Sequence, residues 1–85
     1  MTLRYFNYFA IITGSAGLLG QSHSEALAEM GYNLILTDND KIALKKQYKY
    51  LSKKFKNIKI LSYTMDVSSE KSVMKTYNII DKKKN

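Results

Sequence analysis

Three glycines spaced by three, Gly14-x-x-Gly17-x-x-Gly20, and a carboxylate 24 residues after the first of them, Asp38, are the residues of this sequence best suited to chemistry. A residue without a Cβ permits a tight turn and lets main-chain N–H groups come close to a bulky anion such as a pyrophosphate. A helix starting at Leu18 would present its positive N-terminal end to the same anion. A carboxylate at the end of a neighbouring strand can accept both hydroxyl hydrogens of an adenosine ribose. The two features fit one ligand, a dinucleotide.

That reading holds only if strands and helices put the residues in these places. Phe9 to Ile12 is continuously apolar and is followed by Thr13-Gly14, which suits a strand covered on both faces and ending in a turn. Leu18 to Met30 reads as a helix, with Leu18, Ala26 and Met30 on one side, Leu19 and Leu27 beside them, and Gly31 as the residue that stops it. Leu34-Ile35-Leu36, bounded by Asn33 and by Thr37-Asp38-Asn39-Asp40, is a second buried strand. Asp40 is the expected N-cap of a second helix, whose apolar stripe is Leu44, Tyr48, Leu51 and Phe55. Ile58 and Ile60 alternate with Asn57 and Lys59, which suggests a third strand at a sheet edge. Ser68 or Ser69 then caps a last helix with Glu70 in its first turn and Val73, Tyr77 and Ile80 as its stripe.

The fold expected is therefore α/β: a partial Rossmann unit, β-α-β-α-β-α, with a three-stranded parallel sheet in the order 3-2-1 and residues 1–85 forming part of one domain. Nothing in this pattern pairs with the far side of the first strand. Ala10 to Ile12 are accordingly expected at an unpaired apolar edge, prone to aggregation and only marginally stable.

Composition excludes more than it suggests. The chain has 85 residues, 45% of them apolar, which allows one small domain near the lower limit for a self-sufficient core. There is no cysteine, so disulfide scaffolds, thiol catalysis and cysteine-ligated zinc are out. No apolar run is long enough for a transmembrane helix. Arg4, the apolar stretch up to Ile12, and Ala26-Leu27-Ala28 imitate a signal peptide, but Thr13, Gly14, Ser15 and Gly17 interrupt the apolar region, so a cytoplasmic location is expected.

The net charge of +7 comes from 14 Lys plus Arg against 7 Asp plus Glu, and 13 of those cations are Lys. Lys45, Lys46, Lys49, Lys53 and Lys54 fill the polar positions of the second helix, the pattern of a solvated face. A small basic module holding nucleic acid through phosphates is the competing reading of this charge. Base recognition, however, leans on Arg, and Tyr48 and Tyr77, of the seven tyrosines, fall on apolar stripes and not on a stacking surface. No nucleic acid partner is expected. His23 stands beside Leu19 and Leu27 with no second His and no Cys, so no metal site is expected. Because a carboxylate repels a ribose 2′-phosphate, and neither Ser15 nor Asn39 is cationic, NAD is favoured over NADP, with Lys41 the nearby cation that opposes this.

The run Thr13-Gly14-Ser15-Ala16-Gly17-Leu18-Leu19-Gly20, with Ala26-Leu27-Ala28-Glu29-Met30-Gly31, Leu36-Thr37-Asp38 and Met65-Asp66-Val67, resembles the short-chain dehydrogenase/reductases. The resemblance extends from Phe9 to Ile80. It implies an NAD-dependent oxidoreductase that moves hydride between nicotinamide and an alcohol or carbonyl. It also implies that Gly14, Ser15, Gly17, Leu19 and Gly20 line the dinucleotide, that Asp38 selects its ribose, and that Asp66 with Val67 flanks the adenine. Leu18 stands where standard-length members usually have their middle glycine, and the spacing present is typical of the extended branch of nucleotide-sugar epimerases and dehydratases. The spacing from Asp38 to Asp66 is more like the standard-length branch.

The family's catalytic Ser and Tyr-x-x-x-Lys lie beyond position 85, so no catalytic residue is assigned, and this chain alone is expected to be inactive. Tyr50-Leu51-Ser52-Lys53-Lys54 matches the Tyr-x-x-x-Lys spacing, in which an ammonium four residues on can lower a phenol's pKa. Its helix, however, lies away from the crevice where such folds bind ligands. A full-length parent is expected to be a homo-oligomer.

Overall fold

In the computed structural model, the described residues are 3–6, 9–66, 68, 69, 71, 72, 74, 75 and 78, with backbone alone for 3–6. The elements run β1 (Leu3–Phe6), β2 (Phe9–Thr13), α1 (Leu18–Glu29), β3 (Asn33–Asp38), α2 (Lys41–Lys54) and β4 (Ile60–Thr64). They build a sheet in the order β1-β2-β3-β4. β2, β3 and β4 are parallel, with Thr13 opposite Thr37 and Asp38 opposite Thr64, so the carboxyl ends of all three finish level.

The first strand is not at an open edge. β1 pairs antiparallel with β2, Leu3 opposite Ile12 and Phe6 opposite Phe9, and so covers the main-chain groups of Ala10 to Ile12. The expectation of an unpaired edge is corrected here. Its physical cause is a short antiparallel partner, Leu3–Phe6, which no glycine-bearing dipeptide in the sequence before β2 announced. The third parallel strand also lies later than the Ile58/Ile60 alternation suggested, because pairing with β3 begins at Leu34 opposite Ile60. Ile58 instead packs against the core from the approach to β4.

Alternation along the strands divides the interior in two. Ala10, Ile12, Leu34, Leu36 and Ile60 face the helices and meet Leu27, Ala28, Leu44 and Leu51, with Tyr32, Phe55 and Ile58 at the margin. Ile11 and Ile35 point to the other face, beside Phe9, Leu61 and Tyr63.

The buried side of α1 is Gly20, Ser24, Leu27 and Ala28. Leu18, Leu19 and Met30, expected on the apolar stripe, are exposed at 88%, 60% and 70%. The reason is steric: the inward side is made largely of small residues, and at Gly20 the helix backbone lies so close to the Gly14–Ser15 turn that a Cβ would clash. Ser24 helps by donating its hydroxyl to the Gly20 carbonyl at 2.7 Å. α1 ends where expected. Gly31 takes φ +88°, its N–H donates to Ala28 O at 3.0 Å, and the Tyr32 N–H donates to Leu27 O at 3.1 Å, the paired bonds of a Schellman cap.

Asp40 caps α2, its carboxylate accepting the Ala43 N–H at 3.1 Å. Leu44 and Leu51 of the expected stripe are buried, Tyr48 is half out, and Gln47 takes a buried place among them. Of the last helix, Ser69 accepts the Ser72 N–H at 3.2 Å, as a capping serine should. Val67, Glu70, Val73, Tyr77 and Ile80 lie outside the described residues.

Candidate dinucleotide site

The parallel strands deliver three features to one end of the sheet: the glycine turn after β2, Asp38 at the end of β3, and Asp66 just after β4. Ligands of open α/β sheets bind outside the carboxyl ends of the strands, where these residues lie.

Gly14 has φ +63°, a left-handed conformation that costs a residue with a Cβ about 1–2 kcal/mol. The chain then folds back, the Gly17 N–H donating to Gly14 O at 3.1 Å. Gly17 is the N-cap of α1 and brings no capping side chain, and no acidic residue sits in the first turn. The positive end of the helix is therefore left for an external anion. Gly20 serves packing: a Cβ there would stand 2.7 Å from Ser15 Cα and closer still to Gly14 O. Gly17 is less confined, its nearest neighbour being Gly14 O at 3.3 Å.

The turn is pinned to β3 by hydrogen bonds that the spacing did not announce. Ser15 N–H donates to Thr37 O at 3.0 Å, and the Thr37 hydroxyl donates to Ile12 O at 2.8 Å. Ala16 N–H donates to Asp38 Oδ2 at 2.9 Å. On its other oxygen, Asp38 Oδ1 accepts the Asp40 N–H at 2.9 Å. Each carboxylate oxygen thus holds one N–H and keeps a further lone pair for an incoming hydroxyl. Gln21 braces the turn from behind, its amide donating to Ala16 O at 2.8 Å. Neither Thr37 nor Gln21 carried a sequence signal, because both act through single bonds to main-chain atoms.

The other expected residues are placed as follows. Ser15 is fully buried, and its hydroxyl has no partner among the protein atoms. Leu19 lies exposed on the first turn of α1. Asp66 accepts the Ser68 hydroxyl at 2.6 Å and the Ser68 N–H at 2.9 Å, bonds that hold its carboxyl below the usual range. Its carboxylate is engaged in the turn after β4. Val67 lies outside the described residues.

The Tyr50/Lys54 pair stands elsewhere, between the helices. The Lys54 ammonium forms an ion pair with Glu25 of α1, and the Tyr50 hydroxyl donates to the same carboxylate at 3.3 Å. Lys54 pulls the Glu25 pKa down, and Glu25 in turn raises that of Lys54. This triad joins α1 to α2. His23 is half-buried on α1, with Nδ1 unpartnered by protein atoms. Among the described residues there is no group of three His, Cys, Asp or Glu that could hold a metal, and no helix long and apolar enough to cross a membrane.

A dinucleotide fits these residues: a turn with glycine at positions 14 and 17, a helix end without a capping side chain and a carboxylate with spare acceptors lie together at one end of the sheet. Comparisons with known proteins bear on the family. The family model for short chain dehydrogenases matches residues 8–84. A diacetyl reductase [(S)-acetoin forming] of Staphylococcus epidermidis is 40% identical over 63 residues, which is 73% of this chain and 23% of that protein. A short-chain dehydrogenase/reductase from Burkholderia phymatum, crystallised with NAD, superposes with a TM-score of 0.76 at 26% identity, covering 88% of this chain and 27% of the other. An NADPH-dependent 3-quinuclidinone reductase from Rhodotorula rubra gives 0.76 at 29% identity, over 86% of this chain and 27% of the other. The chain thus spans about a quarter of the length of these relatives. With a family model matched over residues 8–84, almost its whole length, the chain belongs to the short-chain dehydrogenases.

Proposed function

We propose that this chain is the cofactor-binding part of an oxidoreductase and that it takes NAD in preference to NADP. The observation that carries the reading is the position of Asp38, level with the glycine turn and joined to it through Ala16. A pyrophosphate would lie over Gly14 and Gly17 at the N-terminus of α1, and Leu19 would border it. The adenosine ribose would reach Asp38, whose spare lone pairs suit two hydroxyls. A 2′-phosphate would meet the same carboxylate and be repelled. Lys41, exposed in the first turn of α2, is the cation that limits this discrimination.

When bound, the nicotinamide supplies hydride to a carbonyl or takes it from an alcohol. The residues of this chain bind and orient; none of them is assigned a step in that transfer. Asp66 and Val67 are proposed to border the adenine. A cytoplasmic, homo-oligomeric parent acting on an alcohol or carbonyl is the corresponding proposal for a whole protein, with the diacetyl reductase as the nearest guide to the reaction class among the relatives named above.

Calorimetric titration of the chain with NAD tests the reading. Saturable binding that is lost in Gly17→Glu, a change that puts a carboxylate at the helix N-terminus, supports it. Equal heats for both proteins would remove it.

A further inference from the structure

β4 is the last strand of the sheet on its side, and its pairing with β3 fixes which of its main-chain groups are left over. The Leu34 N–H donates to Lys59 O at 2.9 Å, and the Met65 N–H donates to Asp38 O at 2.9 Å. Residues of that parity, Leu61 and Tyr63 among them, therefore turn their main-chain groups toward β3. Ile60, Ser62 and Thr64 turn theirs outward, and among the described residues no strand meets them. Natural sheet edges are guarded by a charge, a proline or a bulge. Ile60-Leu61-Ser62-Tyr63-Thr64 has neither charge nor proline, and Lys59 stands just before the paired stretch begins. The edge is open to a further strand.

The surroundings of the edge narrow what that strand would be. On the helix side lies an open hollow of about 340 Å³, lined by Tyr48 and Ser52 of α2, by Phe55, Lys56 and Ile58 of the connection that follows, and by Ile60. On the other face Leu61 and Tyr63 are half-buried. Side chains of an added strand alternate between the two faces, so one apolar side chain can enter the hollow while its neighbours lie against Leu61 and Tyr63. Every charged residue from Lys41 to Met65 is a lysine, and Lys53, Lys56 and Lys59 are exposed. A second copy of the chain carries the same surplus, a net charge of +7, and is repelled. A strand bearing carboxylates is attracted.

We propose that the β4 edge is a docking site for an extended acidic segment of a partner protein, which pairs with the main chain of Ile60, Ser62 and Thr64 and sets an apolar side chain into the hollow between α2 and β4. The hollow lies at the amino end of β4, the opposite end of the sheet from the glycine turn and Asp38. The site is therefore independent of the cofactor reading.

Titration of the isotopically labelled chain with the end-capped peptide Glu-Glu-Val-Phe-Val-Glu-Glu, followed by NMR and amide hydrogen exchange, tests the proposal. The expected result is saturable binding that weakens with salt and slows exchange of the Ser62 and Thr64 amides. The same peptide with its three central amides N-methylated keeps every charge and side chain but cannot pair as a strand, and should bind at least about tenfold more weakly. Ser62→Pro removes an outward donor without touching the bonds to β3, and should weaken the unmodified peptide similarly. Equal affinity for the two peptides on the unaltered chain would overturn the proposal, as would shifts confined to the lysines of α2, which charge attraction alone would give. Protection of Ser62 and Thr64 that grows with chain concentration in the absence of peptide would assign the edge to a second copy instead. The peptide comparison needs no variant, so it decides the matter even if Ser62→Pro fails to fold.

Discussion

The Ala16 N–H and the Asp38 carboxylate meet at 2.9 Å although 22 residues separate them in sequence. This bond ties the glycine turn after β2 to the end of β3, so the turn and the Asp38 carboxylate are held together. It also means that Asp38 has a structural task besides any contact with cofactor. Variants at this position are best read with Asp38→Asn, which keeps the shape and one acceptor oxygen and gives up one of the two main-chain N–H bonds, so its folding is checked beside its binding.

The three glycines should differ in what they tolerate. Gly20→Ala forces a Cβ against Ser15 and Gly14 and should cost about 1–3 kcal/mol of stability, the range for overpacked sites. Gly14→Ala meets no atom within 4 Å but must hold φ +63°, and should cost about 1–2 kcal/mol. Gly17→Ala should be the mildest. Urea unfolding of the three variants gives the order directly, and a Gly17→Ala protein less stable than Gly20→Ala would contradict the packing described.

The exposed and buried leucines of α1 offer a sharper test of its orientation. Leu27 is 7% exposed and Leu18 is 88% exposed. Leu27→Ala should lose about 2–5 kcal/mol, while Leu18→Ala should stay within about 0.5 kcal/mol. Equal losses would mean that the helix presents a different face to the sheet.

That orientation marks the boundary of what could be read from sequence. Phe9 to Ile12 and Leu34 to Leu36 are unbroken apolar runs closed by turn residues, and they announced buried parallel strands correctly. Gly31 and Asp40 announced the end of α1 and the start of α2, because each stop or cap depends on one residue's own conformation or hydrogen bond. The buried side of α1 was silent, since Gly20, Ser24 and Ala28 contribute closeness and not hydropathy. β1 was silent for another reason: Leu3-Arg4-Tyr5-Phe6 is short, and the Asn7-Tyr8 connection lacks the glycine that marks a hairpin. Within the site, the glycines and Asp38 stood out by spacing. Thr37 and Gln21 did not, because a single bond to a carbonyl leaves no pattern.

β1 should act as an edge guard. Deleting residues 1–6 uncovers the main-chain donors and acceptors of Ala10 to Ile12, and an apolar open strand invites pairing with another copy. Light scattering should show concentration-dependent association of the shortened chain under conditions where the intact one is monodisperse. A shortened chain that stays monomeric and folded would deny β1 this role.

The Glu25–Lys54 pair should leave a signature in pH. The Glu25 pKa is lowered in the folded state, so its contribution is present above the ordinary carboxylate range and disappears as pH falls through the depressed value. The Lys54 pKa is raised, so its share persists below the ordinary lysine value and is lost as pH rises through the elevated one. The stability difference between the chain and Glu25→Gln should therefore be greatest between those limits and vanish in acid. It should also be small and salt-sensitive, as both groups are accessible to solvent. A difference independent of pH would show that the ion pair is not its source.

If Asp38 reads the ribose of a bound dinucleotide, the ratio of NAD to NADP affinity measures it most directly. The unaltered chain should bind NAD about tenfold or more tightly than NADP, since one charge repulsion of about 1.4 kcal/mol suffices for that factor. Asp38→Asn should bring the two affinities together, chiefly by admitting NADP. A chain that binds both dinucleotides equally, or a ratio that Asp38→Asn leaves unchanged, would contradict the account.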